Sequence, residues 1–166
     1  MELFDLVNRN DEVIGTTDKK TAHTNGDLHR VAAVFVFDQN GELYVQQHPS
    51  DGKWDHSIGG HVAQGETYAE AAVREAEEEL GITQPLNELA TSIYADEHPH
   101  MQHMFGLYSC IADPEWKFTP NPDDKVEVIF PMSIMAIRET MLSEPEKFTA
   151  GFRITIDAYT RLKNLQ

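Results

Sequence analysis

The segment from residue 67 to residue 81 constrains the fold of this chain more than any other. Thr67, followed three positions later by Glu70, is typical of a helix that begins with a capping box, and Gly81 is a natural helix stop. Each residue of an α-helix advances about 100° around the axis, which places the apolar residues on one arc. These residues are Ala69, Ala72, Ala76 and Leu80, with Val73 just beyond them. The pattern predicts an amphipathic helix that packs against a core, preceded by a loop containing Gly59-Gly60.

Three carboxylates crowd the arc next to this apolar face. Glu75, Glu78 and Glu79 together span about 100° of the helix circumference. Carboxylates about 6 Å apart repel each other by roughly 1 to 3 kcal/mol, and like charges at this spacing weaken a helix. Mg²⁺ is typically shared between a few carboxylates, water and substrate phosphates. We therefore interpret these three side chains as metal ligands, and Glu70 and Glu77 as ordinary solvated residues.

The segment from residue 60 to residue 82 resembles the Nudix box, the signature of the Nudix hydrolase family. The matching residues are Gly60, Glu66, Arg74, Glu75, Glu78, Glu79, Gly81 and Ile82. Ala76 stands where a larger aliphatic residue is usual. The resemblance implies the Nudix fold, an α/β (α+β) architecture in which a mixed β-sheet is sandwiched between helices. It also implies hydrolysis of a pyrophosphate linkage that depends on Mg²⁺ or Mn²⁺.

The same resemblance implies roles for residues around the carboxylates. The carbonyl of Gly59 is expected to be a further metal ligand, Glu78 and Glu79 are expected to be catalytic, and Arg74 and Glu66 are expected to brace the loop against the helix. Many members of the family use another glutamate outside the box as a ligand or general base. The first candidate for that role is Glu127, and the others are Glu97 and His103.

Composition restricts the class of protein further. The 166 residues are most simply one domain, 1–166, and 40% hydrophobic residues are enough for an ordinary core. The longest apolar run, Val31 to Phe37, is too short to cross a membrane, and the first residues lack a signal-peptide pattern. The lone Cys110 cannot form an internal disulfide and is expected to be a small buried hydrophobe. We therefore expect a cytoplasmic protein.

The net charge of −15 limits the partners of this protein. Duplex nucleic acid needs a basic surface, so it is not expected as a partner. A phosphorylated small molecule is compatible with the acidic chain if cations held by the helix locally invert the field. We expect a small-molecule diphosphate as substrate, and dimers are common among the proteins it resembles, so a homodimer is possible.

Hydrophobic patterns outside the box predict a layered arrangement of strands and helices. A hairpin is expected from Leu3 through Ile14, and residues 16–27 are interpreted as a loop or short helix. Further strands are predicted over residues 31–37, 43–47, 85–95, 103–111 and 126–130. Helices are predicted over residues 132–142 and about 151–165. The polar residues 96–100 and the proline-rich residues 114–124 are interpreted as loops.

A second resemblance covers residues 22–30 and 54–61, which are similar to the Nudix branch that includes isopentenyl diphosphate isomerase. Those isomerases move protons with a cysteine and glutamates, and they carry a histidine-rich metal site. His23, His29 and His61 match that pattern, although the spacing from His23 to His29 is one residue short. The match implies a substrate-side or metal-side position for His29 and His61, and His103 is a further candidate for such a position.

The residues that would perform the isomerase chemistry are missing. Gly59 occupies the position of the catalytic cysteine, and Met101 and His103 occupy those of the paired glutamates. The intact Glu78-Glu79 pair of the box favours hydrolysis. We therefore interpret the chain as a hydrolase of an isomerase-like branch, with isomerisation and non-catalytic nucleotide sensing as alternatives.

The remaining histidines leave two interpretations open. His98, His100 and His103 cluster in sequence near Glu97. Neutral imidazoles are common ligands of transition metals, so this stretch could bind Zn²⁺ or Mn²⁺. The other interpretation, which we favour, is a polar loop in which some of the histidines merely face solvent.

Overall fold

The computed structural model of this chain describes residues 2–98, 101–119, 126 and 128–164, and the side chains of all of these except residues 97 and 98. The strands are β1 (Leu3–Val7), β2 (Val13–Asp18), β3 (His29–Phe37), β4 (Leu43–Gln47), β5 (Trp54–Asp55), β6 (Ile58–His61), β7 (Asn87–His98), β8 (Met101–Ile111) and β9 (Val128–Met132). The helices are α1 (Lys19–Asn25), α2 (Tyr68–Leu80), α3 (Ile134–Ser143) and α4 (Ala150–Leu162), with a 3₁₀ turn at Pro145–Lys147.

Strand β3 organises the mixed sheet. It pairs antiparallel with β6 along one edge and parallel with β8 along the other, so that His29 lies opposite His103 and Val31 lies opposite His61. Strand β7 extends the sheet beyond β8, while β4 carries β5 and β9 as antiparallel neighbours. The long central strand therefore brings residues from both ends of the chain to one place.

The sheet is sandwiched between helices, as the sequence predicted. Alternate side chains of β3 point to opposite faces because a strand repeats every two residues. Ala32, Val34 and Val36 pack with α2, and Val31, Ala33 and Phe35 pack with α3 and α4. Cys110 lies in the core on the α2 side, where it is buried as expected. None of the helices in the described part of the chain is long and apolar enough to cross a membrane.

Helix α2 begins and ends where its sequence predicts. Both hydrogen bonds of the capping box between Thr67 and Glu70 are present, and Gly81 adopts a left-handed conformation with φ of 62°. The buried face differs from the predicted one. Its members are Ala71, Ala72, Ala76 and Leu80, whereas Ala69 and Val73 are exposed. The buried arc is rotated toward the carboxylates, because α2 packs across the β6 segment that contains Gly59-Gly60.

Most of the other elements confirm the sequence interpretation, with local differences. The N-terminal hairpin, α1 within residues 16–27, and the helices α3 and α4 are all present. Strands β5 and β6 were not predicted, since β5 has only two residues and β6 contains two glycines, which have low strand preference. Pairing with β4 orders β5, and pairing with β3 orders β6. The prediction of a loop over residues 96–100 is wrong at its start, because β7 continues to His98 through pairing with β8. Residues 99 and 100 lie outside the described residues.

Candidate active site

A cavity of about 560 Å³ lies between α1, β6, α2 and the start of β8. Its walls combine the box loop and helix with histidines from other elements. The box contributes Gly59, Gly60, Glu75 and Glu79, and the histidines on the wall are His23, His48, His56, His61 and His103. Members of both groups that the sequence analysis identified, the box residues and the histidines, therefore line one cavity.

Gly60 is required by close packing against Glu75. A Cβ atom at position 60 would overlap the Glu75 side chain, so no residue larger than glycine fits there without movement. Glu75 is mostly buried, with a side-chain exposure of 14%. Burial raises the pKa of Glu75, although the neighbouring Arg74 opposes that change. A buried carboxylate of this kind is costly unless cations compensate it.

Arg74 connects the loop before α2 to the carboxylates on the helix. Its Nε and Nη2 donate to the two Glu66 carboxylate oxygens at 3.0 Å each, and its Nη1 donates to Glu75 Oε1 at 2.6 Å. Nη2 also donates to the carbonyl of His61 at 3.1 Å. The hydrogen bond from Arg74 lowers the pKa of Glu66. One guanidinium thus fixes the position of Glu66, Glu75 and the end of β6 relative to one another.

The three carboxylates of the box do not share one surface. Glu75 and Glu79 line the cavity, and Glu79 Oε2 lies 3.4 Å from the backbone N–H of Gly59. Glu78 is 60% exposed and faces the outer side of the helix, 3.5 Å from Arg74 Nη1. The helix rotation described above accounts for this division. The assignment of Gly59, Glu75, Glu78 and Glu79 as metal ligands, and of Glu78 and Glu79 as catalytic, stays a prediction.

Four histidines meet at the cavity: three of them line it, and His29 is fully buried. His23, His29, His61 and His103 each offer a ring nitrogen, and these nitrogens lie within 4.8 Å of one another. They come from α1, β3, β6 and β8. Among the side chains that the structure describes, this is the one group of histidines, cysteines and carboxylates with that spacing. We call it the four-histidine cluster.

Hydrogen bonding and burial leave the cluster suited to bind a metal. His29 Nδ1 lies 2.8 Å from the carbonyl of Asp27, which can only accept, so this nitrogen carries the proton. The Nε2 atom then carries a lone pair instead of a proton, and it is buried with no hydrogen-bond partner, as is Nε2 of His61. Burial, with the neighbouring histidines, lowers the pKa of His29 to about 4 and that of His61 to about 2. Neutral imidazoles with one nitrogen held by a carbonyl are typical metal ligands.

Some residues named from the sequence fall outside the described part of the chain. Glu127 and His100 are not described, and neither are the side chains of Glu97 and His98. The interpretation of His98, His100 and His103 as one cluster therefore lies partly outside the described residues. His103 itself joins the four-histidine cluster, because the parallel pairing of β3 and β8 places it opposite His29.

Cys110 is separated from the cavity. It lies on β8 in the core beneath α2 and is not part of the cavity wall. Burial raises the pKa of its thiol to about 11, which keeps it protonated and unreactive. Gly59, which the resemblance matches to the isomerase cysteine, lines the cavity without a side chain.

Comparison with known proteins agrees with this architecture. A family model described as the NUDIX domain matches residues 27–152, which is most of the chain. The chain therefore belongs to the Nudix family. Within the family it lies in the isopentenyl-diphosphate-isomerase-like branch. An isopentenyl-diphosphate Delta-isomerase of Pectobacterium atrosepticum is 32% identical over 158 residues, covering 90% of this chain and 87% of that protein.

Further relatives include a protein named as a hydrolase. An uncharacterized Nudix hydrolase of Streptomyces coelicolor is 38% identical over 85 residues, 48% of this chain and 47% of that protein. The crystal structure of DR0079 from Deinococcus radiodurans superposes with a TM-score of 0.66 at 25% identity, covering 86% of this chain and 90% of that chain. The chain is thus similar both to proteins named as isopentenyl-diphosphate isomerases and to a protein named as a Nudix hydrolase.

Proposed function

We propose that this protein is a divalent-metal-dependent hydrolase of a pyrophosphate linkage in a nucleoside diphosphate derivative or a related organic pyrophosphate. One observation carries the proposal. Glu75 and Glu79 line the same cavity wall as the glycine pair Gly59-Gly60, and Arg74 holds Glu75 in place. An acidic wall beside a glycine loop suits an anionic substrate only when cations mediate between them.

Some residues of the box would bind the metal, and others fix the positions of these ligands. Glu75, Glu79 and the Gly59 carbonyl would hold Mg²⁺ or Mn²⁺ at the cavity wall. Glu78 lies on the outer side of the helix, so it would become a ligand only if its side chain turned toward the cavity. Such ions, when bound, neutralise phosphate charge and lower the pKa of water. Arg74 fixes Glu75 and Glu66, so that the ligand oxygens keep their positions when substrate enters. Glu127 stays the predicted general base.

The four-histidine cluster supports a second place for a metal in the same cavity. All its ligand atoms are imidazole nitrogens, which suit Zn²⁺, Fe²⁺ or Mn²⁺ better than Mg²⁺. By the resemblance, His103 stands at the position of a glutamate of the isomerases, so an imidazole occupies that position in place of a carboxylate. Imidazoles add no negative charge, so a cation there would keep its full charge and attract a phosphate.

A substrate panel with a matched pair of variants tests the hydrolase proposal. Purified protein with Mg²⁺ or Mn²⁺ is incubated with dinucleotides, nucleotide sugars, nucleoside triphosphates and isopentenyl diphosphate, and released phosphate compounds are measured. Glu79→Gln is expected to reduce turnover by orders of magnitude. Glu77→Gln changes an exposed carboxylate of the same helix and is expected to keep wild-type turnover. Absence of cleavage, or full activity in Glu79→Gln, would refute the proposal.

Isomerisation of isopentenyl diphosphate is the second candidate function. It is favoured by the relatives named as isopentenyl-diphosphate Delta-isomerases and by the position of the four-histidine cluster. It is disfavoured by Gly59 in place of a cysteine and by the buried, protonated Cys110. Incorporation of deuterium from solvent into isopentenyl diphosphate would establish it. Tight nucleotide binding without either reaction would instead indicate a sensor.

A further inference from the structure

A hydrogen-bonded group at the rim of the cavity is not part of the Nudix box. His48, which follows β4, has its Nε2 atom 3.0 Å from Oδ2 of Asp55 on β5. The other oxygen of Asp55 is 2.6 Å from His56 Nδ1 and accepts from the Thr149 hydroxyl at 2.9 Å. Asp55 is therefore fixed from several elements, and it holds the imidazole of His48 in a defined orientation.

His56 extends this group into the core and gives it rigidity. Its side chain is 5% exposed, and its Nε2 atom lies 2.7 Å from the Thr155 hydroxyl on α4. That hydroxyl is also within 3.1 Å of the carbonyl of Gly151. The network runs from α4 through His56 and Asp55 to His48, and His48 is its most exposed member, with a side-chain exposure of 35%. A rigid support behind one accessible ring is the arrangement expected of a ligand-contacting residue.

The charge around His48 suits an anionic ligand. The hydrogen bond to Asp55 raises the pKa of His48 against the opposing effect of burial, and the charges of Asp51 and Glu79 act in the same direction. Burial opposes ionisation of Asp55, yet His56 and His48 hold its pKa well below its usual range. Among the described residues that line the cavity, Lys19 is the one lysine or arginine. His48 is thus a second source of positive charge in a cavity that otherwise presents carboxylates and histidines.

We propose that His48, oriented by Asp55, is a substrate-binding residue whose ring donates a hydrogen bond to a non-bridging phosphate oxygen of the diphosphate. The bond to Asp55 uses Nε2, which leaves Nδ1 for the phosphate. His48 and the box carboxylate Glu79 line the same cavity, so one diphosphate can contact both sides. This inference rests on the proposed function, because that function supplies the ligand, a diphosphate that enters this cavity. The residues that match the box signature and line the cavity are Gly60, Glu75 and Glu79, and none of them offers a side-chain donor for this contact.

Binding of a non-hydrolysable diphosphate tests the contact with His48 independently of catalysis. The probe is methylenediphosphonate, titrated calorimetrically with Mg²⁺ present into wild type, His48→Gln and His48→Lys. At pH 6.5 we expect His48→Gln to weaken binding at least tenfold, because it removes a charge-assisted hydrogen bond. Lys53→Gln is the matched control, since Lys53 is an exposed cation of the same loop outside the cavity wall. It is expected to change binding less than twofold.

The pH dependence distinguishes a ligand contact from a structural role. Wild-type binding should weaken as the pH rises from 6.5 to 9 and the imidazole loses its proton. His48→Lys carries a cation over that range and should keep its affinity. A structural role for His48 would instead make both replacements equally poor and insensitive to pH. Thermal unfolding of each variant identifies any that fail to fold, and such a variant is replaced by His48→Arg.

The outcomes separate the two proposals. Loss of probe binding in His48→Gln supports the inference even if no compound of the substrate panel is cleaved, in which case only the hydrolase proposal fails. Affinity within twofold of wild type in His48→Gln overturns the inference even if cleavage is observed. Failure of wild type to bind the probe with either Mg²⁺ or Mn²⁺ also overturns it.

Discussion

The side chain of Glu75 occupies the space above Gly60 that a Cβ atom would need. Gly60→Ala must therefore displace Glu75 from Arg74 and from the cavity wall. We expect the free energy of unfolding to fall by about 1 to 3 kcal/mol, as overpacking of a dense site usually costs. We also expect metal-dependent turnover to fall at least about 100-fold, because a carboxylate assigned to the metal loses its position. Chemical denaturation and steady-state kinetics with the best substrate measure both effects.

Gly106 provides the control for a purely steric effect. A Cβ atom there would collide with the Tyr68 ring at the start of α2, far along the helix from the carboxylates Glu75 and Glu79. Gly106→Ala should lower stability to a similar degree while its folded fraction keeps wild-type turnover. Equal losses of turnover in the two variants would contradict a specific role for the contact between Gly60 and Glu75.

Arg74 cannot be replaced by lysine without losing its bridging contacts. Its guanidinium reaches Glu66, Glu75 and the carbonyl of His61 from three nitrogens, and an ammonium group cannot match that planar pattern. We expect Arg74→Lys to lower the free energy of unfolding by about 1 to 3 kcal/mol and turnover by about tenfold or more. Arg161→Lys alters an exposed residue of α4 and should change neither quantity measurably. Wild-type kinetics in Arg74→Lys would show that the bridge is only a solvated ion pair.

The part of the site that could be predicted from sequence is the part encoded over short distances. The capping box of Thr67 and Glu70 and the stop at Gly81 depend on neighbours within one helix, and the structure confirms all three. Helical periodicity alone did not fix the rotation of α2. Its buried face includes Ala71 and excludes Ala69, because that choice depends on how β6 passes beneath the helix.

The four-histidine cluster could be predicted only in part. The sequence placed His23, His29 and His61 in one metal-side pattern and named His103 as a further candidate, but it did not show that the four rings meet. His103 joins the others through the parallel register of β3 and β8, two strands that residues 38–100 separate in the chain. The sequence analysis did not identify the pair of His48 and Asp55, because a histidine and an aspartate in a polar loop give no local signal. Their relation follows from the antiparallel pairing of β4 and β5.

Acid should destabilise the metal-free protein in a defined range. The pKa of His29 is lowered from 6.5 to about 4 in the folded state. A histidine whose pKa is lower in the folded than in the unfolded state stabilises the folded protein fully only at pH values above its unfolded pKa. That stabilisation is lost as the pH falls from about 6.5 toward 4. At about 1.4 kcal/mol per unit, His29 alone accounts for about 3 kcal/mol of loss, and His61 adds to it. Urea denaturation between pH 7.5 and 4 measures the profile, and His29→Gln should flatten it. An equally steep profile in that variant would assign the loss to other groups.

Cys110 should be dispensable for chemistry. The thiol is buried in the core beneath α2 and its pKa is raised to about 11, so it cannot act as a nucleophile or proton donor in the cavity. Cys110→Ala is expected to reduce stability by about 1 kcal/mol through the small cavity left behind. Hydrolysis should be unchanged once corrected for folded protein, and any deuterium exchange into isopentenyl diphosphate should be unchanged too. Loss of either reaction in the folded variant would place the thiol in the mechanism and reopen the isomerase interpretation.

The four-histidine cluster should bind one transition-metal ion independently of the carboxylates on α2. Removing His61 takes away a buried ring whose Nε2 atom has no other partner, so His61→Gln should weaken Zn²⁺ binding at least about 100-fold. Glu79→Gln leaves all four imidazoles in place and should keep wild-type Zn²⁺ affinity while it abolishes hydrolysis. Competition with a chromogenic chelator measures the affinity, and thermal unfolding with Zn²⁺ shows the stabilisation that a ligand specific for the folded state must give. The assignment is wrong if Zn²⁺ binds His61→Gln as tightly as wild type, or if the Zn²⁺ site disappears in Glu79→Gln.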